Sequence, residues 1–339
     1  MTERHRALVT APFRGEGWDT LNALIDVVYD PWIEQVPLRL LNGEQLAARL
    51  TAEGADILIV ESDSVKGPVF EVPLLAIGSC RGDPNNVDVE AATKAGIPVL
   101  PAPGRNADGV AELTIALLFA ANRFVVPADH DVRAGEVYAG GKIPYQRYRA
   151  WQLAGRTAGI IGLGAVGRAA KWRFEGLGMR ALSFDPYNPD ATHHSAAELQ
   201  AMLAECDVVS MHAMVTPETE RLMGAAQFAA MKPTAYVVNT SRGGTIDEIA
   251  MTHALREGRI AGAALDVLEQ EPPHPDNPLL TLPNVLLTAH TAGHGVSSML
   301  DNRQQSVDQV LRFLGGLWPT ALVNPEVKTH ARVGHLRES

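Results

Sequence analysis

Residues 159–185, "GIIGLGAVGRAAKWRFEGLGMRALSFD", decide the fold of this chain. Gly162, Gly164 and Gly167 follow a short apolar run and open a helix-like segment, in the spacing G-x-G-x-x-G. In a βαβ unit the first glycine allows a tight turn, the second lets the backbone approach a pyrophosphate, and the third lets helix and strand pack closely. Asp185 ends the next apolar run, where a carboxylate can accept hydrogen bonds from ribose hydroxyls. The stretch predicts a dinucleotide-binding Rossmann unit.

The same stretch supplies the first candidate cofactor residues. The helix that begins after the second glycine turns its N-terminal N–H groups toward the phosphates. A carboxylate at residue 185 would repel a 2′-phosphate, so NAD is predicted rather than NADP. The predicted cofactor-binding residues here are Gly162, Gly164, Ala165, Val166, Gly167 and Asp185.

Short apolar runs alternate with helix-like segments over most of the chain, which is typical of parallel sheets covered on both faces. Strands are predicted at 7–12, 55–62, 74–79, 97–103, 157–164, 180–185, 206–212, 235–241, 262–267 and 284–290. Helices are predicted at 43–54, 87–96, 106–123 and 296–314, with a polar connector at 133–155 and a loose tail from 326. The fold class is therefore α/β, with two Rossmann-like, doubly wound parallel-sheet domains.

Composition describes an ordinary globular protein and excludes several classes. The chain has 339 residues, 46% of them hydrophobic, and a net charge of −10, which argues against a nucleic-acid partner. The N-terminal "MTERHRALVTAPF" lacks the apolar run of a secretory signal, and Glu112 and Arg123 interrupt the longest apolar helix, so no membrane span is expected. Cys80 and Cys206 show no metal-like spacing, and they are predicted to be buried thiols in the cytoplasm.

Polar side chains follow three consecutive strands of the second half. Arg242 comes just after 235–241, Asp266, Glu269 and Glu271 lie at or after the end of 262–267, and His290 ends 284–290. Ligands of doubly wound sheets bind outside the carboxyl ends of the strands, so these residues are site candidates by position. Each alone is more typical of a solvated turn, but together they indicate a site.

Hydride chemistry explains this set of residue types. Reduction of a 2-keto acid needs a hydride from the nicotinamide and a proton for the developing alkoxide, which a histidine can donate. A carboxylate beside the histidine favours the imidazolium, and an arginine aligns the substrate carboxylate and stabilises charge on the carbonyl oxygen.

Several ordered motifs now carry a resemblance to a known family. They are "NNVDVEAATKAGIPVLPAPGRNADGVAELT", "GIIGLGAVGR", "VVSMHAMVTPETERL", "VVNTSRGGTIDE", "GAALDVLEQEPP" and "LLTAH". The chain resembles the D-isomer-specific 2-hydroxyacid dehydrogenases, which include phosphoglycerate, glyoxylate/hydroxypyruvate and D-lactate dehydrogenases, from about residue 40 to 325. The resemblance implies an NAD-dependent enzyme acting on a D-2-hydroxy acid or its keto form.

The resemblance also assigns roles to individual residues. It makes Arg242 the substrate arginine, Glu271 the partner of the histidine, and His290 the acid/base. Thr216, Thr240 and Asp266 join the predicted cofactor contacts, with Asp266 at the nicotinamide end. Gly82 and Asn106 join Arg242 and His290 as predicted substrate contacts.

The family organisation is implied in the same way. It gives a discontinuous, flavodoxin-like substrate domain of residues 1–105 plus 296–339 and an NAD-binding Rossmann domain of residues 106–295. It also implies a homodimer formed through the dinucleotide domain.

The loop "GSCRGDPNNVD", residues 78–88, departs from the family pattern. Arg81 and Asp83 stand where small residues or glycine are common, and Arg105 precedes Asn106 near the expected substrate. One hypothesis is that Arg81, with Arg105, reads a second anionic or polar group on the substrate, such as a phosphate, a phosphonate or a distal carboxylate. The alternative is that Arg81 is a structural clamp that pairs with Asp83 or another local acid.

A second histidine, His294, stands four residues after His290. No nearby carboxylate or cysteine completes a metal set, so no metal site is predicted. Two other functions stay open: a non-catalytic, NAD(H)-sensing binding protein of the same fold, and a dehydrogenase of another small anion such as phosphite.

Overall fold

The computed structural model describes residues 4–12, 16–104, 106–293, 296–333 and 336–337. Arg105 and His294 lie outside these ranges, so the hypotheses on them stay predictions. The chain divides into two compact units, Met1–Asn106 with Gly295–Ser339 (unit 1) and Ala107–His294 (unit 2).

The described residues form eleven strands and eleven α-helices. The strands are β1 Arg6–Val9, β2 Asp26–Tyr29, β3 Ile57–Val60, β4 Ala76–Ser79, β5 Val99–Leu100, β6 Thr157–Ile161, β7 Arg180–Phe184, β8 Val208–Met211, β9 Tyr236–Asn239, β10 Gly262–Leu265 and β11 Val285–Leu287. The helices are α1 Glu16–Leu24, α2 Gly43–Glu53, α3 Val89–Lys94, α4 Ala107–Asn122, α5 Val125–Ala134, α6 Pro144–Arg147, α7 Ala165–Gly176, α8 Ala196–Glu205, α9 Ala225–Ala230, α10 Glu248–Arg256 and α11 Val296–Leu314.

Unit 1 is built on a five-stranded parallel sheet in the order β2-β1-β3-β4-β5, which is the flavodoxin-like order. Strand β3 is buried along its whole length because both faces of the sheet are covered. Leu58 packs in the core on one face, and Ile57 packs with Val307 and Val310 of α11 on the other. The C-terminal helix therefore completes the core of the N-terminal sheet.

Unit 2 is built on a six-stranded parallel sheet in the order β11-β10-β9-β8-β6-β7. The chain runs outward from β6 to β7 and then crosses back to β8 on the other side of β6. This reversal places a switch point between the carboxyl ends of β6 and β8, where doubly wound sheets bind ligands. The predicted fold class, two doubly wound parallel-sheet domains, is confirmed.

Several details differ from the sequence predictions. The connector predicted at 133–155 contains the short helix α6, and the strand predicted at 97–103 is only the two residues of β5. The predicted strand at 284–290 ends at Leu287, and His290, three residues further on, has a left-handed backbone with φ 53° that is incompatible with a strand. The half-buried edge strand β2 has no counterpart among the predicted strands. The tail is not loose at Arg332, whose guanidinium donates hydrogen bonds to the carbonyl oxygens of Phe70, Val72 and Ala95.

A search of the described residues found no single helix both long and apolar enough to cross a membrane. Helices α4 and α5 pass that test of length and composition only as a pair, bent by 53°. Helix α4 buries Val110, Leu117 and Leu118 inside unit 2.

Candidate active site

The glycine turn between β6 and α7 has the geometry that its spacing predicts. Gly162 has a φ of 91°, and a Cβ there would lie 2.8 Å from the backbone of His212, at the end of β8. A Cβ on Gly167 would lie 2.0 Å from the carbonyl oxygen of Gly162, so this glycine lets α7 pack against the turn. A Cβ on Gly164 would meet no described atom within 4 Å, so this glycine borders open space.

The first turn of α7 borders the same open space. Gly164 and Ala165 are exposed, and Val166 is half-buried. Helix α7 has twelve residues, and its first backbone N–H groups lack intrahelical acceptors, so they can bind an anion. The open space and the exposed helix terminus fit the pyrophosphate of a dinucleotide.

Asp185 lies directly after β7, beside this turn. Its Oδ2 accepts a hydrogen bond from the Leu163 N–H at 2.9 Å, and its Oδ1 accepts one from the Tyr187 N–H at 3.0 Å. Oδ1 accepts a second hydrogen bond from the Asn188 N–H at 3.2 Å. These bonds fix the carboxylate, and Oδ2 has a further lone pair that a ribose hydroxyl could use.

The two predicted cofactor threonines are held differently. Thr240 follows β9 and is buried, and its hydroxyl lies 2.8 Å from that of Thr114 on α4. Thr216 is half-buried in the loop after β8, where its hydroxyl donates to Glu218 at 2.8 Å.

His212 is a candidate that the sequence prediction missed. It follows β8 at the switch point, and its Nε2 lies 2.8 Å from the Ser210 hydroxyl. Its Nδ1 is buried and has no hydrogen-bond partner among the residues that the structure describes. Burial lowers the pKa of His212 to about 4, so the ring is neutral at physiological pH. A histidine directly after a buried strand is also the pattern that identified His290, so the signal was present in the sequence.

Arg242 begins a tight turn after β9. Its carbonyl oxygen accepts hydrogen bonds from the Asn239 amide at 3.0 Å and the Thr245 hydroxyl at 2.8 Å, while its side chain is exposed. A Cβ on Gly243 would lie only 1.9 Å from the carbonyl carbon of Leu268. The glycine therefore brings the Arg242 turn against the loop that follows β10.

Asp266 is the first residue after β10, and its carboxylate is buried. Oδ1 accepts hydrogen bonds from the Thr288 hydroxyl at 2.6 Å and the Thr291 N–H at 2.9 Å, and Oδ2 accepts one from the Ala292 N–H at 2.8 Å. The Asp266 carbonyl oxygen accepts a hydrogen bond from the His290 N–H at 2.8 Å. Asp266 thus shapes the segment that carries His290.

Glu271 and His290 form a direct pair. Glu271 Oε2 lies 2.6 Å from His290 Nδ1, and Glu271 Oε1 accepts a hydrogen bond from the Leu268 N–H at 3.0 Å. The side chains are 36% and 50% exposed, so the ring is oriented but open to a ligand. Arg242, Glu271 and His290 follow β9, β10 and β11, which are neighbours in the sheet.

The other predicted substrate residues belong to unit 1. Arg81 donates from Nε to the Glu61 carbonyl oxygen at 2.6 Å and from Nη1 to Asn85 Oδ1 at 2.7 Å. Gly82 is exposed, and Asn106 is half-buried at the end of this unit's first segment.

Within the described ranges, no group of three His, Cys, Asp or Glu side chains is arranged to hold a metal ion.

Together, a dinucleotide-binding glycine turn and a histidine–carboxylate pair beside an arginine define a nicotinamide-dependent oxidoreductase. Residues 115–292 match the sequence model described as "D-isomer specific 2-hydroxyacid dehydrogenase, NAD binding domain". The glyoxylate reductase of Aeropyrum pernix is 39% identical over 332 residues, which cover 96% of this chain and 97% of that protein. The D-3-phosphoglycerate dehydrogenase of Methanocaldococcus jannaschii is 35% identical over 88% of this chain, which spans 56% of that protein.

Solved structures agree with the sequence relatives. The crystal structure of the TT0316 protein from Thermus thermophilus has a TM-score of 0.79 and 33% identity, over 94% of this chain and 99% of that one. The chain belongs to the D-isomer specific 2-hydroxyacid dehydrogenase family. It is an NAD(P)-dependent oxidoreductase that transfers a hydride between the nicotinamide and a 2-hydroxy or 2-keto acid, which confirms the predicted family, reaction class and cofactor class.

Proposed function

We propose that this chain interconverts a small 2-keto acid and its D-2-hydroxy acid with NAD(H), and that His290 exchanges the proton. The 2.6 Å contact between Glu271 Oε2 and His290 Nδ1 carries the proposal. Because the carboxylate holds Nδ1, we assign Nε2 to the substrate oxygen. During reduction the imidazolium donates its Nε2 proton to the developing alkoxide.

The other residues bind and position the reacting groups. The exposed Arg242 guanidinium binds the substrate carboxylate and stabilises charge on the carbonyl oxygen. Asp266 positions His290, since its carboxylate already accepts hydrogen bonds from the 288–292 segment. The bound nicotinamide supplies or accepts the hydride.

The cofactor-binding residues that we propose are those of the β6–α7 turn, with Asp185, Thr216, Thr240 and Asp266. Asp185 favours NAD over NADP because its carboxylate would repel a 2′-phosphate. The buried Nδ1 of His212 adds a hydrogen-bonding atom beside the turn. Comparing kcat/KM with NADH and NADPH tests the choice, and a preference for NADPH would contradict it.

A substrate screen tests the reaction. NADH oxidation is followed with glyoxylate, hydroxypyruvate, phosphohydroxypyruvate, phosphonopyruvate, 2-ketoglutarate and branched keto acids, and the product is resolved on a chiral column. We expect turnover of at least one acid to the D product. Tight NADH binding without any turnover would instead favour the NAD(H)-sensing alternative.

His290→Asn tests the acid/base role. Asparagine tolerates the left-handed backbone of this position but cannot donate a proton as an imidazolium does. We expect kcat to fall about 10³-fold, the size of a general acid/base contribution, with an unchanged Kd for NADH by fluorescence titration. A fall of less than about tenfold would assign the proton to another group.

We propose that residues 1–105 with 296–339 form the substrate domain and residues 106–295 the NAD-binding domain. In the substrate domain, the contacts of Arg81 with Glu61 and Asn85 favour the clamp, although neither partner atom is an acidic group. Recognition of a second anionic group on the substrate by Arg81 stays a prediction. Arg81→Ala should lower kcat/KM more on phosphonopyruvate than on glyoxylate if Arg81 reads that anion, and equal losses would leave only the clamp.

A homodimer in the cytoplasm completes the proposal. Unit 2 exposes a run of large apolar side chains between α5 and α6, and a second copy could cover them. These residues are Val125, Val126, Val132, Tyr138, Ile143 and Tyr145. Both cysteines are buried, and burial raises the pKa of Cys206 to about 12, as suits inert thiols in a reducing compartment. Light scattering of wild type and Val126→Asp tests the assembly, and a monomeric wild type would contradict it.

A further inference from the structure

Arg221 lies on the loop that follows β8 and has an unusual backbone. Its φ is 50°, in the left-handed region that favours glycine. Its N–H donates a hydrogen bond to the Gly244 carbonyl oxygen at 2.8 Å, and Met223 then pairs with Ile246 in a short parallel bridge. The backbone at 221–223 therefore holds the turn that begins at Arg242.

The side chain of Arg221 reaches the other half of the site. Its Nη2 and Nε lie 2.5 and 3.2 Å from Glu269 Oε1. Glu269 stands two residues before Glu271, in the loop whose Leu268 N–H donates to Glu271 Oε1. This ion pair thus ties the Arg242 turn to the loop that orients His290.

Global stability does not explain this arrangement. The Arg221 and Glu269 side chains are 53% and 36% exposed, and exposed ion pairs add little to the free energy of unfolding. A left-handed arginine costs stability, because its Cβ crowds the backbone. The Arg221–Glu269 ion pair is therefore better explained by holding these two loops in place than by stabilising the whole fold.

We infer that Arg221 is a positioning residue for the reaction: through Glu269 and Gly244 it fixes the distance between Arg242 and the Glu271–His290 pair. The inference rests on the proposed roles of those three residues. Arg221 need not contact the substrate to do this, because its backbone N–H binds the Arg242 turn and its guanidinium binds the loop of Glu269.

Arg221→Gly is the decisive variant, since it removes the guanidinium and also relieves the left-handed backbone. We expect an unchanged or higher melting temperature, an unchanged Kd for NADH, and a kcat about tenfold lower from misplacement of the catalytic groups. Arg221→Lys keeps the charge and should recover part of kcat. A kcat of Arg221→Gly within twofold of wild type, as an order-of-magnitude threshold, would overturn the inference.

Glu269→Gln tests the partner. We expect the same loss of kcat as in Arg221→Gly and no further loss in the double variant, because both changes break one link. Fully additive losses would overturn the coupling. The matched control is Arg259→Gln, which removes another exposed Arg–Glu pair in unit 2 (Arg259 with Glu257) and should leave kcat unchanged.

A measurement without substrate separates this inference from the proposed function. The Nδ1 proton of His290, which lies in the hydrogen bond to Glu271, can be followed by NMR in the NADH complex. We expect a sharp downfield signal in wild type and Arg259→Gln, and a broadened or lost signal in Arg221→Gly. An unchanged signal in Arg221→Gly would overturn the positioning role, whereas an inactive wild type with the expected signal changes would overturn only the proposed reaction.

Discussion

Two glycines at the carboxyl edge of the unit 2 sheet have opposite surroundings. The space that a Cβ would take at Gly243 is filled by the backbone of Leu268, 1.9 Å away. At Gly164 the same space contains no described atom within 4 Å. Both glycines come just after a strand, and both belong to motifs that carry the family resemblance.

This difference gives two structural reasons for a glycine at the carboxyl edge of the sheet. Gly243 lets two parts of the protein touch, so that Arg242 lies beside the loop of Glu271. Gly164 keeps protein atoms away, so that a ligand can approach the backbone of α7. The first glycine brings together the loops that carry the proposed catalytic residues, and the second leaves open space at the proposed cofactor site.

Of the glycine substitutions, Gly243→Ala should give the largest effect, because the added methyl group would collide with backbone rather than with a flexible side chain. We expect kcat to fall about 10²-fold, since the Arg242 turn and the Glu271 loop must separate. Steady-state kinetics measures the loss of kcat. A thermal melt measures stability and should show a lower melting temperature.

Gly244→Ala is the control for that change. Its nearest atom would be Val215 Cγ2 at 3.3 Å, which belongs to a side chain that can shift. Near-normal activity and melting temperature are expected. Equal losses at 243 and 244 would mean that the close approach at Gly243 has no special role.

Gly164→Ala should have a smaller and more selective effect. The methyl group meets no described protein atom, so the melting temperature should stay the same, while the Kd for NADH should rise about tenfold because the pyrophosphate loses its close approach. Isothermal titration calorimetry measures the Kd. Gly176→Ala, at the far end of the same helix and also in open space, should leave NADH binding unchanged.

His212, whose backbone lies against the Gly162 turn, should make the free energy of unfolding depend on pH. Its folded-state pKa is about 4, below the ordinary 6.5, so the unfolded chain takes up this proton first as pH falls. The free energy of unfolding should therefore be highest above pH 6.5 and fall between pH 6.5 and about 4, by about 3 kcal/mol from this histidine. Denaturant unfolding of wild type and His212→Asn across this range checks the prediction, and parallel curves would contradict it.

Sequence motifs and hydrophobic periodicity predicted the features that depend on particular residue types at fixed spacings along the chain. The glycine turn, Asp185 and the strands of unit 2 follow from local rules, so they could be read from the sequence. The pairing of Glu271 with His290 could be expected only through the family resemblance, because nineteen residues separate them.

Other features depend on geometry that residue types do not encode. The left-handed backbones of His290 and Arg221 could not be read from residue type, since most histidines and arginines have a negative φ. The anchoring of Arg332 on carbonyl oxygens of residues 70–95 needs partners more than 230 positions away, which no local pattern indicates. His212 is different, because its position directly after a buried strand is a local signal that the sequence carries.

The discontinuity of unit 1 has a consequence for how the protein is made. Unit 2 is one continuous segment, so all of its strands have emerged once residue 294 has left the ribosome. The sheet of unit 1 emerges first, but Val307 and Val310, which cover part of one of its faces, are synthesised only after the whole of unit 2. That apolar face therefore stays partly uncovered while unit 2 is synthesised, and exposed apolar surface of this kind promotes aggregation of a nascent chain.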